Sequence, residues 1–132
     1  MLHRIDGSGL YARNYFNRYG DDAIDLCDLL ASYNSRSKVS LDILAKSMGL
    51  SGKPSGISGI DVERYVSSGR IQEVADYCET DVVNTYRVWL LFERFRGRLT
   101  ADNLSASEHE LRSFVQTRTP SKRHLNALLN EP

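Results

Sequence analysis

The chain has 132 residues, with 17 Lys+Arg balanced by 17 Asp+Glu, 26% charged residues and 41% hydrophobic ones. Values this close to the globular average exclude a disordered tail, a collagen-like repeat and a disulfide scaffold. Zero net charge removes any general electrostatic argument for nucleic-acid binding, so such an argument has to come from local chemistry. No apolar run reaches the ~18 residues of a membrane span, and the opening MLHRIDGSG lacks the apolar core of a secretory signal. A reduced, soluble, cytoplasmic protein with no membrane partner is expected.

Near the N-terminus, Tyr11, Tyr15 and Tyr19 recur at spacing four, which fits one face of a short helix. Gly20-Asp21-Asp22 reads as a turn. Ala23 to Leu30 begins with apolar–polar alternation and ends in a helix-like pattern, so a short strand turning into a helix is expected. Ser40 is a natural N-cap for a helix that buries Leu41, Leu44, Ala45 and Met48 and stops at Gly49. The loop Ser51 to Gly59 is rich in glycine and serine but lacks the order GxxxxGK[ST], which favours a surface connector over a phosphate cradle. A short helix near 61–68 should close at Gly69.

Arg70 to Arg96 contains no Gly or Pro and is followed by Gly97, so one long helix is predicted. At roughly 100° per residue, Ile71, Val74, Ala75, Cys78, Val82, Tyr86, Trp89 and Phe92 gather on one side and are expected to be buried. Asp76, Thr80, Arg87 and Arg94 fall opposite and should be solvated. Tyr77 and Asp81 lie between the two faces, one turn apart. A carboxylate at the rim of a core stays charged yet is held by packing, as a metal ligand requires. In a chain with seven tyrosines the spacing Tyr-x3-Asp is common by chance, so the surrounding string must carry the weight.

That string, Ala75-Asp76-Tyr77-Cys78-Glu79-Thr80-Asp81-Val82-Val83-Asn84-Thr85-Tyr86-Arg87, resembles the third motif of DEDD-type 3′–5′ exonucleases that carry a motif tyrosine. More narrowly, it is similar to the predicted 3′–5′ exonucleases related to the proofreading domain of family B DNA polymerases. The resemblance extends back through the segment Ile24 to Leu30, the helix Val39 to Ala45 and the Gly52-Lys53-Pro54 loop, and forward to Phe92-Glu93. It implies a ribonuclease-H-like α/β fold in which four carboxylates hold two Mg²⁺ or Mn²⁺ ions that hydrolyse DNA from a single-stranded 3′ end. Asp81 would be the last carboxylate and a metal ligand, and Tyr77 would orient the attacking water.

The resemblance also implies an Asp-x-Glu on a first strand and a second-motif aspartate, and no strand-like segment here carries an Asp-x-Glu. Glu108-x-Glu110 has the spacing but lies in a polar helical stretch. The expected architecture is therefore the C-terminal portion of such a domain. It should be predominantly helical with one or two short strands, over 1–98, followed by a small helical extension over 99–132. One carboxylate does not hold two Mg²⁺ ions, so the isolated chain is expected to be inactive. A chain supplying the missing motifs, or self-association, would complete or cover it. The alternative is a non-catalytic helical module that binds a protein partner or nucleic acid.

Asp25 and Asp28 are weighed as substitute carboxylates, with helix capping and solvation of the strand edge favoured. Cys27 and Cys78 have no CxxC or Cys/His spacing and are expected to be buried thiols. His3, His109 and His124 share no ligand spacing and are taken as surface residues. Ser105 is expected to cap a helix to about Thr117, with Leu111, Phe114 and Val115 on its apolar side. Arg112, Arg118, Lys122 and Arg123 form an acid-free basic stretch. It either steers a nucleic-acid backbone or, as favoured here, is the solvated face of a small helical pair.

Overall fold

The structure is a computed structural model that describes residues 16–52 and 57–130. Every regular element among those residues is helical. The expected face of Tyr11 and Tyr15 lies outside them. The chain divides into two compact units, Met1–Val39 and Ser40–Pro132. No described helix is long and apolar enough to cross a membrane.

In the first unit α1 spans Leu26–Leu30. Asp25 caps it, its Oδ1 accepting from the Asp28 amide at 3.1 Å. The strand expected at Ala23 is therefore absent, and no strand occurs among the described residues. The physical reason is local: an aspartate that captures the backbone amide three residues on supplies a helix start, whereas a lone strand leaves its amides unpaired. Cys27 is exposed rather than buried. Asp28 is buried and bound by Arg18 Nε and Lys38 Nζ, each at 2.6 Å. The Arg18 and then the Lys38 hydrogen bonds hold its carboxyl down to about 2. Past α1 the chain folds back through Ser32 and Tyr33, and the Tyr33 ring meets Tyr19 edge-on at 4.8 Å.

The second unit contains α2 (Leu41–Ser47), α3 (Val62–Ser67), α4 (Ile71–Phe95), α5 (Ala101–Arg118) and α6 (Arg123–Asn130). Ser40 Oγ accepts from the Ile43 amide, capping α2 as its sequence position requires. Before α3, Ser58 and Asp61 cap a 3₁₀ turn reciprocally. α5 begins at Ala101, earlier than Ser105, because Thr100 Oγ1 takes the Asn103 amide at 3.1 Å. Asp102 adds a favourable charge in the first turn.

α4 is the axis of this unit, with α2, α3, α5 and α6 all packing on it and α5 packing on α6. Val83, Val115, Leu125, Leu128 and Leu129 form the core where α4, α5 and α6 meet. Arg112 Nη1 closes the end of α6 by donating to the Leu129 carbonyl.

The face of α4 that is buried differs from the expected one. Val82 is 69% exposed and Ile71 61%, with Ala75, Cys78 and Tyr86 also exposed and Trp89 and Phe92 half-buried. Of the expected stripe only Val74 is buried. Thr80 and Arg87, expected in solvent, are 3% and 8% exposed. The cause is a long-range ion pair: Arg87 Nε lies 3.0 Å from Glu108 Oε1 on α5. Docking of α5 and α6 through that pair and the Val83 core buries one flank of α4 and leaves its most apolar side open.

Candidate functional site

Tyr77 and Asp81 sit one turn apart in the first half of α4 and both are half-buried, the rim position expected of them. Asn84, three residues beyond Asp81, is 1% exposed. Counted at roughly 100° per residue, Tyr77, Asp81 and Asn84 fall within about 60° of one another around α4. They form one row of polar groups along the helix. Oδ1 of Asp81 and Oδ1 of Asn84 are both buried oxygens, and the Asn84 oxygen has no hydrogen-bond partner among the described residues.

A hard divalent cation takes oxygen ligands, and Mg²⁺ is usually held by one or two carboxylates together with water and substrate phosphate. One buried carboxylate oxygen and one buried amide oxygen fit one corner of such a centre. They are not a four-carboxylate set for two ions.

A second group lies elsewhere on α4. Asp76, Glu79 and His124 each present a ligand atom within 4.8 Å of the others. Asp76 and Glu79 face roughly 150° away from the Tyr77–Asp81 pair by the same count. His124 Nε2 is 2.8 Å from Glu79 Oε2. Lys122 Nζ is 2.8 Å from Glu79 Oε1 and 3.9 Å from Asp76 Oδ1. Lys122 first, and His124 after it, hold the Glu79 carboxyl below its ordinary value, while Glu79 raises Lys122. The ammonium therefore already answers the negative charge, and the group acts as a clamp between α4 and the start of α6. His124, expected on the surface, is half-buried there; His109 is exposed as expected.

The remaining acidic candidates have structural roles. Asp25 is a helix cap and Asp28 is a doubly paired anion within its own unit. An Asp-x-Glu spacing does occur at Asp61-Val62-Glu63, where the Asp61 carboxylate serves the cap before α3 and Glu63 is exposed. Of the four basic groups in the acid-free stretch, Lys122 is engaged by Glu79 and Arg112 by the Leu129 carbonyl. That leaves Arg118 and Arg123 exposed. Cys78, Val82 and Tyr86 join Leu111, Phe114 and Leu125 around an apolar groove of about 540 Å³ between α4, α5 and α6. Cys78 is thus an exposed thiol, not a buried one.

Sequence reasoning placed Tyr77 and Asp81 at the half-buried rim of α4, and it did not mark the burial of Asn84 or the pairing of His124. The three-residue offset from Asp81 marks Asn84 as a neighbour on the same helix. His124 carries no comparable signal, since it stands 45 residues from Glu79.

A family model described as a predicted 3′–5′ exonuclease related to the exonuclease domain of PolB matches residues 6–131. The match includes the whole of Ile24–Glu93, where the motif resemblance lies, and extends over α5 and α6. No curated protein and no solved structure matches the chain.

Proposed function

Since the chain belongs to the family of predicted 3′–5′ exonucleases related to the exonuclease domain of PolB, we propose that α4 carries one corner of a metal-dependent 3′–5′ exonuclease acting on single-stranded DNA ends. Asp81 is the metal-holding carboxylate and Tyr77 orients the water that attacks the terminal phosphodiester. The parent architecture in this reading is ribonuclease-H-like, and the chain represents its C-terminal portion. The observation that carries it is the half-buried pair on α4: two side chains one turn apart, anchored by a helix that four others pack against.

Two divalent cations at such a centre supply an activated water and charge stabilisation at the leaving oxygen. Around them, Asp81 fixes a negative oxygen in a rigid position, and the Tyr77 hydroxyl accepts or donates one hydrogen bond to orient the nucleophile. Both tasks depend on geometry that a packed helix holds better than a loop. With a single motif carboxylate the chain binds Mg²⁺ or Mn²⁺ weakly and does not cut by itself. A segment that carries the missing motif carboxylates would complete the centre.

The test uses 5′-labelled single-stranded DNA with Mg²⁺ or Mn²⁺. The expected result is no 3′ shortening by the chain alone, and weak Mn²⁺ binding that Asp81→Ala removes. Processive shortening abolished by Asp81→Ala would overturn the incompleteness. Mn²⁺ binding indifferent to Asp81→Ala overturns the assignment of Asp81.

The exposed apolar side of α4 favours a second reading, a non-catalytic helical module with Tyr77 and Asp81 as remnants. Under that reading a protein partner covers Val82, Tyr86 and Phe114, and Asp81→Ala changes neither Mn²⁺ binding nor partner binding.

A further inference from the structure

Asp76 and Glu79 stand three apart on α4 and so share one face of the helix. His124, in the first turn of α6, meets them from 45 residues beyond Glu79. One ligand atom from each lies within 4.8 Å of the other two, and all three residues are half-buried. Two carboxylates and an imidazole make a donor set suited to a transition-metal ion.

The carboxylate oxygens divide by side. Asp76 Oδ1 accepts from Gln72 Nε2 at 2.8 Å and lies 3.9 Å from Lys122 Nζ, while Glu79 Oε1 accepts from Lys122 Nζ at 2.8 Å. The second oxygens face the imidazole: Asp76 Oδ2 is 3.8 Å from His124 Nδ1, and Glu79 Oε2 is 2.8 Å from His124 Nε2. Lys122 therefore takes one edge of the carboxylate pair and leaves the other to His124. One ammonium against two carboxylates also leaves a negative charge over while the imidazole is neutral. Beside Asp76 and His124 opens a cavity of about 550 Å³, lined also by Gln72, Ser121, Lys122 and Arg123. It has room for the water or small anion that completes a metal's shell.

We propose that Asp76 Oδ2, Glu79 Oε2 and a ring nitrogen of His124 bind one Zn²⁺ ion, with the fourth position open to that cavity. Lys122 and Gln72 stay on the outer oxygens, where hydrogen-bonding partners orient ligating carboxylates. Tetrahedral ligand atoms at Zn²⁺ bond lengths of about 2.0–2.2 Å stand roughly 3.4 Å apart. The contact between Nε2 and Glu79 Oε2 thus opens slightly, by side-chain rotation alone. Bound there, the ion ties α6 to α4. The inference does not rest on the reading of Asp81, because the two groups face different sides of α4 and an imidazole nitrogen favours Zn²⁺ over Mn²⁺ and Mg²⁺.

The experiment titrates the full chain with Zn²⁺ against a chromogenic chelator, with thermal melts recorded with and without Zn²⁺. The parent is expected to bind one Zn²⁺ at least about ten-fold more tightly than Mn²⁺ and to melt higher in its presence. His124→Gln and Asp76→Asn should each weaken Zn²⁺ binding more than about ten-fold and remove most of the gain in melting temperature. Asp76→Asn leaves the contact between Lys122 and Glu79 in place, so it decides the matter if His124→Gln loosens α6. Asp81→Ala should retain the Zn²⁺ affinity of the parent.

Unchanged Zn²⁺ affinity in either variant overturns the site, as does Zn²⁺ bound no more tightly than Mn²⁺. Zn²⁺ binding lost in Asp81→Ala overturns it as well and puts the ion at the Asp81 corner instead.

Discussion

Ser32 and Tyr33 follow α1 with φ of 51° and 59°, the left-handed region in which a Cβ crowds the next carbonyl. Gly97, between α4 and α5, has φ 75° and would place a Cβ in open space. The two sites isolate the same backbone term with opposite sign. Ser32→Gly relieves a strain of about 1–2 kcal/mol, less the extra entropy of glycine in the unfolded chain. It should slow amide hydrogen exchange in α1. Gly97→Ala forces an L side chain into that region with no steric contact to blame, and should lower the melting temperature by about 3–5 °C. A neutral Gly97→Ala would mean that the joint adjusts its backbone at little cost. The glycine stops and the Ser40 cap were readable in the sequence because they are local: the side chain of Ser40 meets an amide three residues away, and nothing distant competes for it; the cap expected at Ser105 lies instead at Thr100.

At the scale of elements, what was legible and what was not divides by sequence separation. The length of α4 followed from an unbroken helical run between Arg70 and Gly97, and Tyr77 and Asp81 followed from a local string. Which side of α4 is buried did not follow, because Arg87 and Glu108 are 21 residues apart and periodicity registers apolarity, not a remote ion pair. The same holds for α6, which is pinned to α4 by Lys122 and His124 reaching back to Glu79. Glu79 titrates below its ordinary 4.5 in the folded chain, so its contribution is in place above that value and is lost as pH falls through the folded one. Lys122 titrates above its ordinary 10.5, so its contribution is in place below that value and is lost as pH rises through the folded one. Partial exposure to solvent keeps the contribution of the pair small. Lys122→Met keeps the aliphatic stem and removes the charge. Its melting-temperature deficit against the parent should be widest between about pH 5 and pH 10 and should narrow on either side. No deficit within that range, or one that does not narrow outside it, would show that α6 is held by Leu125, Leu128 and Leu129 alone.

For the molecule as a whole, the side of α4 that sequence patterning assigned to the core is the side left open. Val82, Tyr86 and Phe114 are 69%, 38% and 58% exposed and stand around one apolar groove. A contiguous apolar surface of this kind marks a place where something binds. The proposed completion of the exonuclease centre also requires a further set of carboxylates. By the helical count, Tyr77 and Asp81 lie well round α4 from the groove, so a chain seated in the groove would leave the Asp81 row open to metal and DNA. Contact through that apolar side should therefore be separable from metal binding. Light scattering across a concentration series up to the millimolar range should give a mass that rises above the monomer for the parent. It should remain at the monomer for Val82→Lys combined with Phe114→Ser. The same double variant should retain the Mn²⁺ affinity of the parent, because neither substitution touches Tyr77, Asp81 or Asn84. A parent that stays monomeric throughout would remove self-association as the way the surface is covered. Loss of Mn²⁺ binding in the double variant would instead tie the apolar face to the metal corner.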